Sequence, residues 1–150
     1  MGGNATDYGK FMGVLLNDIP LKNLLLIPLA DQTNYSKLMT DYFVETFTSD
    51  TITTVGVCRL VIHSAPSSNT SNMMVRENNL VIEVFVPTLK DRLAGFERRS
   101  NQIADRLIEI FHMKSINDRK FRLENNHELS SPLIGFKRMY LQFSYFRVYS

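Results

Sequence analysis

Residues 80–86 read LVIEVFV, and Pro87 stops the run. Side chains alternate across a strand, so Leu80, Ile82, Val84 and Val86 share one face while Val81, Glu83 and Phe85 share the other. Both faces are largely apolar, which places this strand inside a sheet with a neighbour on each side. Upstream, ITTVGVCRLVIH at 52–63 is rich in β-branched residues and predicts a second strand. Arg59 on that strand and Glu83 are expected to face each other as a cross-strand charge pair. Downstream, KFRLENNHEL at 120–129 sets Phe121 and Leu123 against Lys120, Arg122 and Glu124. GFKRMYLQFSYFRVYS at 135–150 sets Met139, Leu141, Phe143 and Tyr145 against Arg138, Tyr140, Gln142 and Ser144. Each alternation reads as a strand with one face on a core.

Between these two pairs of strands, Ile103, Ala104, Leu107, Ile108, Ile110 and Phe111 recur at helical spacing, with either Ser100 as the expected N-cap or an earlier start near Phe96. The N-terminal residues Tyr8, Phe11, Met12, Leu15 and Leu16 mark another helix, interrupted by Gly9 and Gly13 and ended by Pro20. LLLIPLA after it reads as a short strand or buried extended connection, and Tyr35 to Phe47 as a further helical segment. The expected fold is therefore α+β. A mostly antiparallel four-stranded sheet (β-β-α-β-β) packs with one long helix, preceded by N-terminal helical segments. One domain spans 1–150, divided into a helical or extended segment at 1–50 and an α+β core at 51–150. Within the core, SAPSSNTSNMMVRENN at 64–79 is expected to be a long polar loop, with Met73 and Met74 awaiting a partner.

The chain's 150 residues are 44% hydrophobic and 21% charged, with a net charge of +2, ordinary values for a globular protein. A dedicated duplex binder carries a stronger basic excess. One cysteine, Cys58, excludes an intrachain disulfide and a cysteine-based zinc site. No apolar run is long enough to span a bilayer as a helix, and no signal-peptide pattern opens the chain. Gly2 with Thr6 fits a myristoylation pattern by chance, and the sequons at Asn4, Asn34 and Asn69 read as surface residues. His63, His112 and His127 lack metal-ligand spacing, and no nucleophile elbow, Walker loop or dinucleotide fingerprint is present. No cofactor and no metal is expected. Glu83, with Asp91 or Glu97, would be the carboxylates of a metal-dependent nuclease, but the lysine that such a strand carries two residues on is missing.

The segment KDRLAGFERRSNQIADRL at 90–107 carries the remaining chemistry. Lys90, Arg92, Arg98, Arg99 and Arg106, with Arg138 and Arg147, would suit phosphates. Asp91, Glu97 and Asp105 are interleaved, however, leaving five cationic against three anionic side chains over 90–106. Charges of both signs on one surface suit a contact between subunits first, a salt-bridged, solvated face second and a grip on nucleic acid third. The candidate interface comprises Lys90, Asp91, Arg92, Phe96, Glu97, Arg98, Arg99, Arg106, Arg138 and Tyr140. Asn69, Asn72, Met73, Met74, Arg76 and Glu77 form a candidate contact loop. Reversing Arg98 and Arg99 is expected to weaken assembly and leave the fold intact.

From Cys58 onward, RLVIHSAP, VRENNLVIEVFVP, KDRLAGFERRSNQIADRLIEIFH and GFKRMYLQFSYFRVY resemble the tail terminators (tail-completion proteins) among the neck proteins of long-tailed bacteriophages and prophages. The resemblance covers roughly the last 90 residues. It implies a non-enzymatic virion protein, assembled in the bacterial cytoplasm and placed at the head–tail interface. It further implies a homo-oligomeric, six-fold ring that caps the tail tube and meets the head connector. DNA passes its lumen without specific binding, and no membrane is involved. Loop 64–79 would touch the tube or line the lumen. Another neck component, a stopper or adaptor, is the alternative within that class; a DNA-binding or nuclease domain is the alternative outside it.

Overall fold

The computed structural model describes residues 4–45, 57–69, 75–92, 97–116, 119–131 and 135–148. Among them, six strands form one sheet in the order β1-β2-β3-β6-β5-β4. These are β1 (Phe43–Val44), β2 (Arg59–Asn69), β3 (Val75–Pro87), β4 (Ser115–Ile116), β5 (Arg119–Leu129) and β6 (Phe136–Val148). β1 pairs with β2 in parallel, and every other pairing is antiparallel. The four expected strands are the long central ones. The additional two are two-residue edge strands, too short to show a sequence period.

LVIEVFV sits between β2 and β6, as its two apolar faces require. Leu80, Ile82, Val84 and Val86 join the main core with Met139, Leu141, Phe143 and Tyr145 of β6. Phe85, on the reverse face, packs with Val44 and Val61 in a smaller cluster. The register corrects the expected charge pair: Arg59 lies opposite Phe85, and Val61 lies opposite Glu83.

No single long helix dominates. Two helices of 13 residues, α1 (Asn4–Leu16) and α5 (Arg99–Phe111), lie among shorter ones. α1 buries Phe11, Met12, Leu15 and Leu16 and α5 buries Ile103, Ala104, Leu107 and Phe111, all in the same core. Gly9 and Gly13 lie within α1, and a methyl group at either would meet nothing within 4 Å. Gly13→Ala is therefore expected to raise stability by about 0.5–1 kcal/mol by removing freedom from the unfolded chain. A chemical-denaturation midpoint that falls would contradict this.

Pro20 begins a helix rather than ending one. α2 (Ile19–Leu24) holds Pro20 in its first turn, where a missing N–H costs nothing, and Asp18 caps it by accepting from the Leu21 N–H at 2.9 Å. LLLIPLA is thus neither strand nor extended connection. It runs from the end of α2 through Leu26, whose φ is 59°, into a 3-10 turn at Leu29–Asp31. Buried Lys22 and Gln32 fix this bend: Lys22 Nζ donates to the Gln32 carbonyl at 2.9 Å, and Gln32 Nε2 to the Ile27 carbonyl at 3.0 Å. The segment expected as a helix from Tyr35 is a short turn, α3 (Tyr35–Lys37), followed by a π-helical stretch at Leu38–Tyr42 that leads directly into β1.

The expected loop at 64–79 is largely strand. β2 continues through Asn69 and β3 starts at Val75, with a bulge between Ala65 and Ser68. Ser68 pairs with Glu77 and Asn69 with Arg76, so this part of the hairpin is ordered in register. α4 (Thr88–Arg92) follows β3 and leads toward α5.

Candidate functional site

α5 carries Arg99 and Arg106 seven residues apart, about 10 Å at roughly 1.5 Å per residue. Both reach the same short helix. Arg106 Nε and Nη2 hold Asp18 Oδ2 and Oδ1 at 2.9 and 2.5 Å, a paired contact on the residue that caps the start of α2. Arg99 Nη1 donates to the Leu24 carbonyl at its end (3.1 Å), and Nε to the Lys90 carbonyl (3.3 Å). α2 therefore runs antiparallel to α5, pinned at both ends by arginines. Burial opposes ionisation of Asp18, but the Arg106 hydrogen bonds and the Leu21 N–H outweigh it and hold the carboxyl below its ordinary value. The same bonds raise the Arg106 value.

Asp91 is completely buried. Its Oδ1 accepts from the Ser100 backbone N–H at 2.6 Å, and Lys137 Nζ and Arg98 Nη1 stand 3.7 and 3.5 Å from Oδ2. Ser100 is thus not the cap of α5. Arg98 holds the N-cap position and contributes no side-chain bond, and a carboxylate from α4 takes over that task. The location suits a negative charge, because unpaired N–H groups and the helix dipole converge there. Burial pushes the Asp91 value up, but the bond from Ser100 and the nearby Lys137 and Arg98 charges leave it lowered overall.

Alongside Glu124, which its Ser144 and Arg122 bonds also lower, these two depressed carboxyls contribute to the acid stability. Their contribution is fully present above the unfolded value of about 3.9 and drains as pH falls through the lower folded values. Urea midpoints are expected to fall below about pH 4, and Asp91→Asn should flatten part of that fall. An unchanged acid limb in the variant would contradict the assignment.

On the sheet's reverse face, Glu83 is claimed by Arg138, whose Nε donates to it at 2.7 Å and whose Nη2 makes a second, shorter bond. The Arg138 guanidinium also lies 5.9 Å from the Phe85 ring centre, and His63 Nε2 is 3.6 Å from Glu83 Oε2. Asn125, Gln142 and Asn79 form an amide ladder across β5, β6 and β3 at 3.1 and 3.0 Å. Tyr140 is half-buried beside it, its ring 5.3 Å from that of His127.

The expected interface residues therefore divide. Asp91, Arg99, Arg106 and Arg138 are engaged within the chain, whereas Arg92, Glu97 and Arg98 are exposed and Lys90 is half-exposed. Phe96, Asn72, Met73 and Met74 lie outside the described residues. Asn69 and Arg76 are paired at the far end of the hairpin, and Glu77 is half-buried opposite Phe146. Asp18 was not singled out from sequence, although Asp followed two residues later by Pro20 carries the signal of a helix start. Among the described residues no three His, Cys, Asp or Glu side chains converge as a metal site would need. Burial pushes the Cys58 thiol up to about 11, which keeps it protonated and a poor nucleophile at neutral pH. No described helix is long and apolar enough to cross a membrane.

The YomW family model matches residues 15–145, which contain every ion pair described above. The chain belongs to the YomW family. It is a phage-associated family. The matched span of this YomW chain runs from the end of α1 almost to the end of β6. Among solved structures, a chain from "Virion of native gene transfer agent (GTA) particle" is similar at a TM-score of 0.55 and 12% identity. The alignment covers 91% of this chain and 90% of that one, so the likeness is one of whole folds. A second solved structure aligns at a TM-score of 0.45 and 11% identity over 89% of this chain and 99% of that one, too loosely to carry an argument. No curated protein matches.

Proposed function

We propose that this chain is a structural protein of a phage virion and acts there as the tail terminator, a ring that caps the tail tube and joins it to the head connector. The observation that carries the proposal is the fold likeness to a component of a gene transfer agent virion along nine-tenths of both chains. Membership of a phage-associated family supports it. So does the chemistry: the carboxylates weighed for catalysis include Glu83, paired to Arg138, and Asp91, spent on a helix cap. Of the arginines that would have gripped nucleic acid, Arg99, Arg106 and Arg138 are occupied inside the fold. The surface of Lys90, Arg92, Glu97 and Arg98 is one side of the subunit contact. The far end of the β2–β3 hairpin meets the tail tube or lines the lumen, through which DNA passes without specific binding.

Deleting the gene from a phage or prophage is expected to yield filled heads with no attached tails, and free tails of irregular length. Normal particles in its absence would overturn the proposal. At the residue level, Arg98→Glu should weaken assembly and lower the melting temperature only slightly, since Arg98 is exposed and its Asp91 contact is long. Arg99→Glu should also cost about 1–3 kcal/mol of stability, because the Leu24 and Lys90 carbonyls lose their donor. The two reversals are therefore not equivalent, contrary to the expectation from sequence. Equal melting temperatures would contradict this.

A further inference from the structure

A pocket of about 240 Å³ opens beside β5, lined by Met113, Lys120, Phe121, Arg122, Ser144 and Phe146. Small-molecule sites begin near 300 Å³, so this one is sized for a protein side chain. Two of its walls are large apolar residues left in water: Met113 is 54% exposed and Phe146 50%. Met113 also has φ 61°, a left-handed conformation that a side-chain-bearing residue rarely adopts. Its N–H donates to the Phe121 carbonyl at 2.8 Å and the Phe121 N–H to the Lys114 carbonyl at 3.0 Å, which holds the turn in place. Arg122 is neutralised by Glu124, which accepts from its Nε and Nη2 at 3.1 and 3.0 Å and from Ser144 Oγ at 2.6 Å, so Lys120 supplies the pocket's uncompensated positive charge.

An exposed apolar knob occurs on the same chain. Leu29 is 82% exposed at the tip of the 3-10 turn, Ile19 (61%) and Leu26 (43%) are exposed in the same segment, and Asp31 follows two residues on. The Lys22 and Gln32 bonds brace that turn, so presenting it costs little ordering on association. From it the chain continues to β1, the outermost strand at one edge of the sheet, whereas the pocket lies at the β4–β5 edge.

We infer that a second copy of this chain seats Leu29 in this pocket, with Asp31 facing Lys120. The contact rests on the assembly reading above and adds to the surface of Lys90, Arg92, Glu97 and Arg98 a second pair of touching surfaces. Knob and pocket are different surfaces, so the contact is head-to-tail and can close into a ring.

The test uses the full-length protein with Cys58→Ser, Leu29→Cys and Met113→Cys under mild oxidation, at concentrations up to the millimolar range. A ladder of disulfide-linked chains is expected, with each single cysteine giving dimers at most. Leu29→Asp should weaken self-association at least tenfold by light scattering with the melting temperature unchanged. Absence of a ladder, a monomer at every concentration, or unaltered association of Leu29→Asp would each overturn the inference. Linking to added tail-tube protein instead of a second copy would overturn it too. Rings that form without the ladder would remove this contact and leave the terminator reading standing. A ladder from protein that leaves tails uncapped would keep the contact and remove the terminator reading.

Discussion

Phe121→Ala should lower the free energy of unfolding by about 3–5 kcal/mol, the usual range for removing a fully buried aromatic ring. Phe121 has no exposed surface and touches rings from three different parts of the chain. Its ring centre lies 4.7 Å from Phe11 of α1 in an edge-on arrangement, 5.3 Å from Phe111 of α5 and 4.9 Å from Tyr145 of β6. Such pairs add about 0.5–1.5 kcal/mol each beyond the area buried. The residue thus ties both long helices to the sheet, and the cavity left by alanine cannot collapse without moving all three. Phe121→Leu, which keeps most of the volume, should cost clearly less. Urea denaturation monitored by circular dichroism measures both, and a loss below about 1 kcal/mol for alanine would place the hub elsewhere.

Asp91→Ala comes next, at about 3 kcal/mol. The lost cap leaves the buried Ser100 N–H without an acceptor, which costs about 1–3 kcal/mol, and Lys137 is also deprived of its closest buried anion. Asp91→Asn keeps an oxygen for the Ser100 N–H and should retain about half of the loss. A cycle with Lys137→Met separates the charge from the cap: the two changes should be non-additive if Lys137 stabilises this carboxylate, and additive if Glu128, 3.3 Å from Lys137, is its working partner.

The long central elements were legible because period and burial agree in them. Met139, Leu141, Phe143 and Tyr145 alternate toward the core as read, and the two apolar faces of LVIEVFV did mark an interior strand. The hairpin end was not legible. Its Ser- and Asn-rich composition argues for a loop, and strand structure there follows from pairing with a neighbour rather than from residue preference. Register was equally hidden: nothing local tells Arg59 that Phe85 lies opposite, or Glu83 that its arginine will come from β6. The arginine segment shows the same limit at the candidate site. Its mixed charges suggested a surface, but Asp18 is 88 residues from Arg106 and Leu24 is 75 from Arg99, so their capture is a product of topology. What remains outward is a smaller patch than composition implied.

The terminator reading meets its most direct test in electron microscopy of tail tubes polymerised with and without the purified protein. Tubes that stop growing and carry a ring of uniform size at one end are the predicted result. Tubes that elongate unchanged, with the protein free in solution, would contradict it.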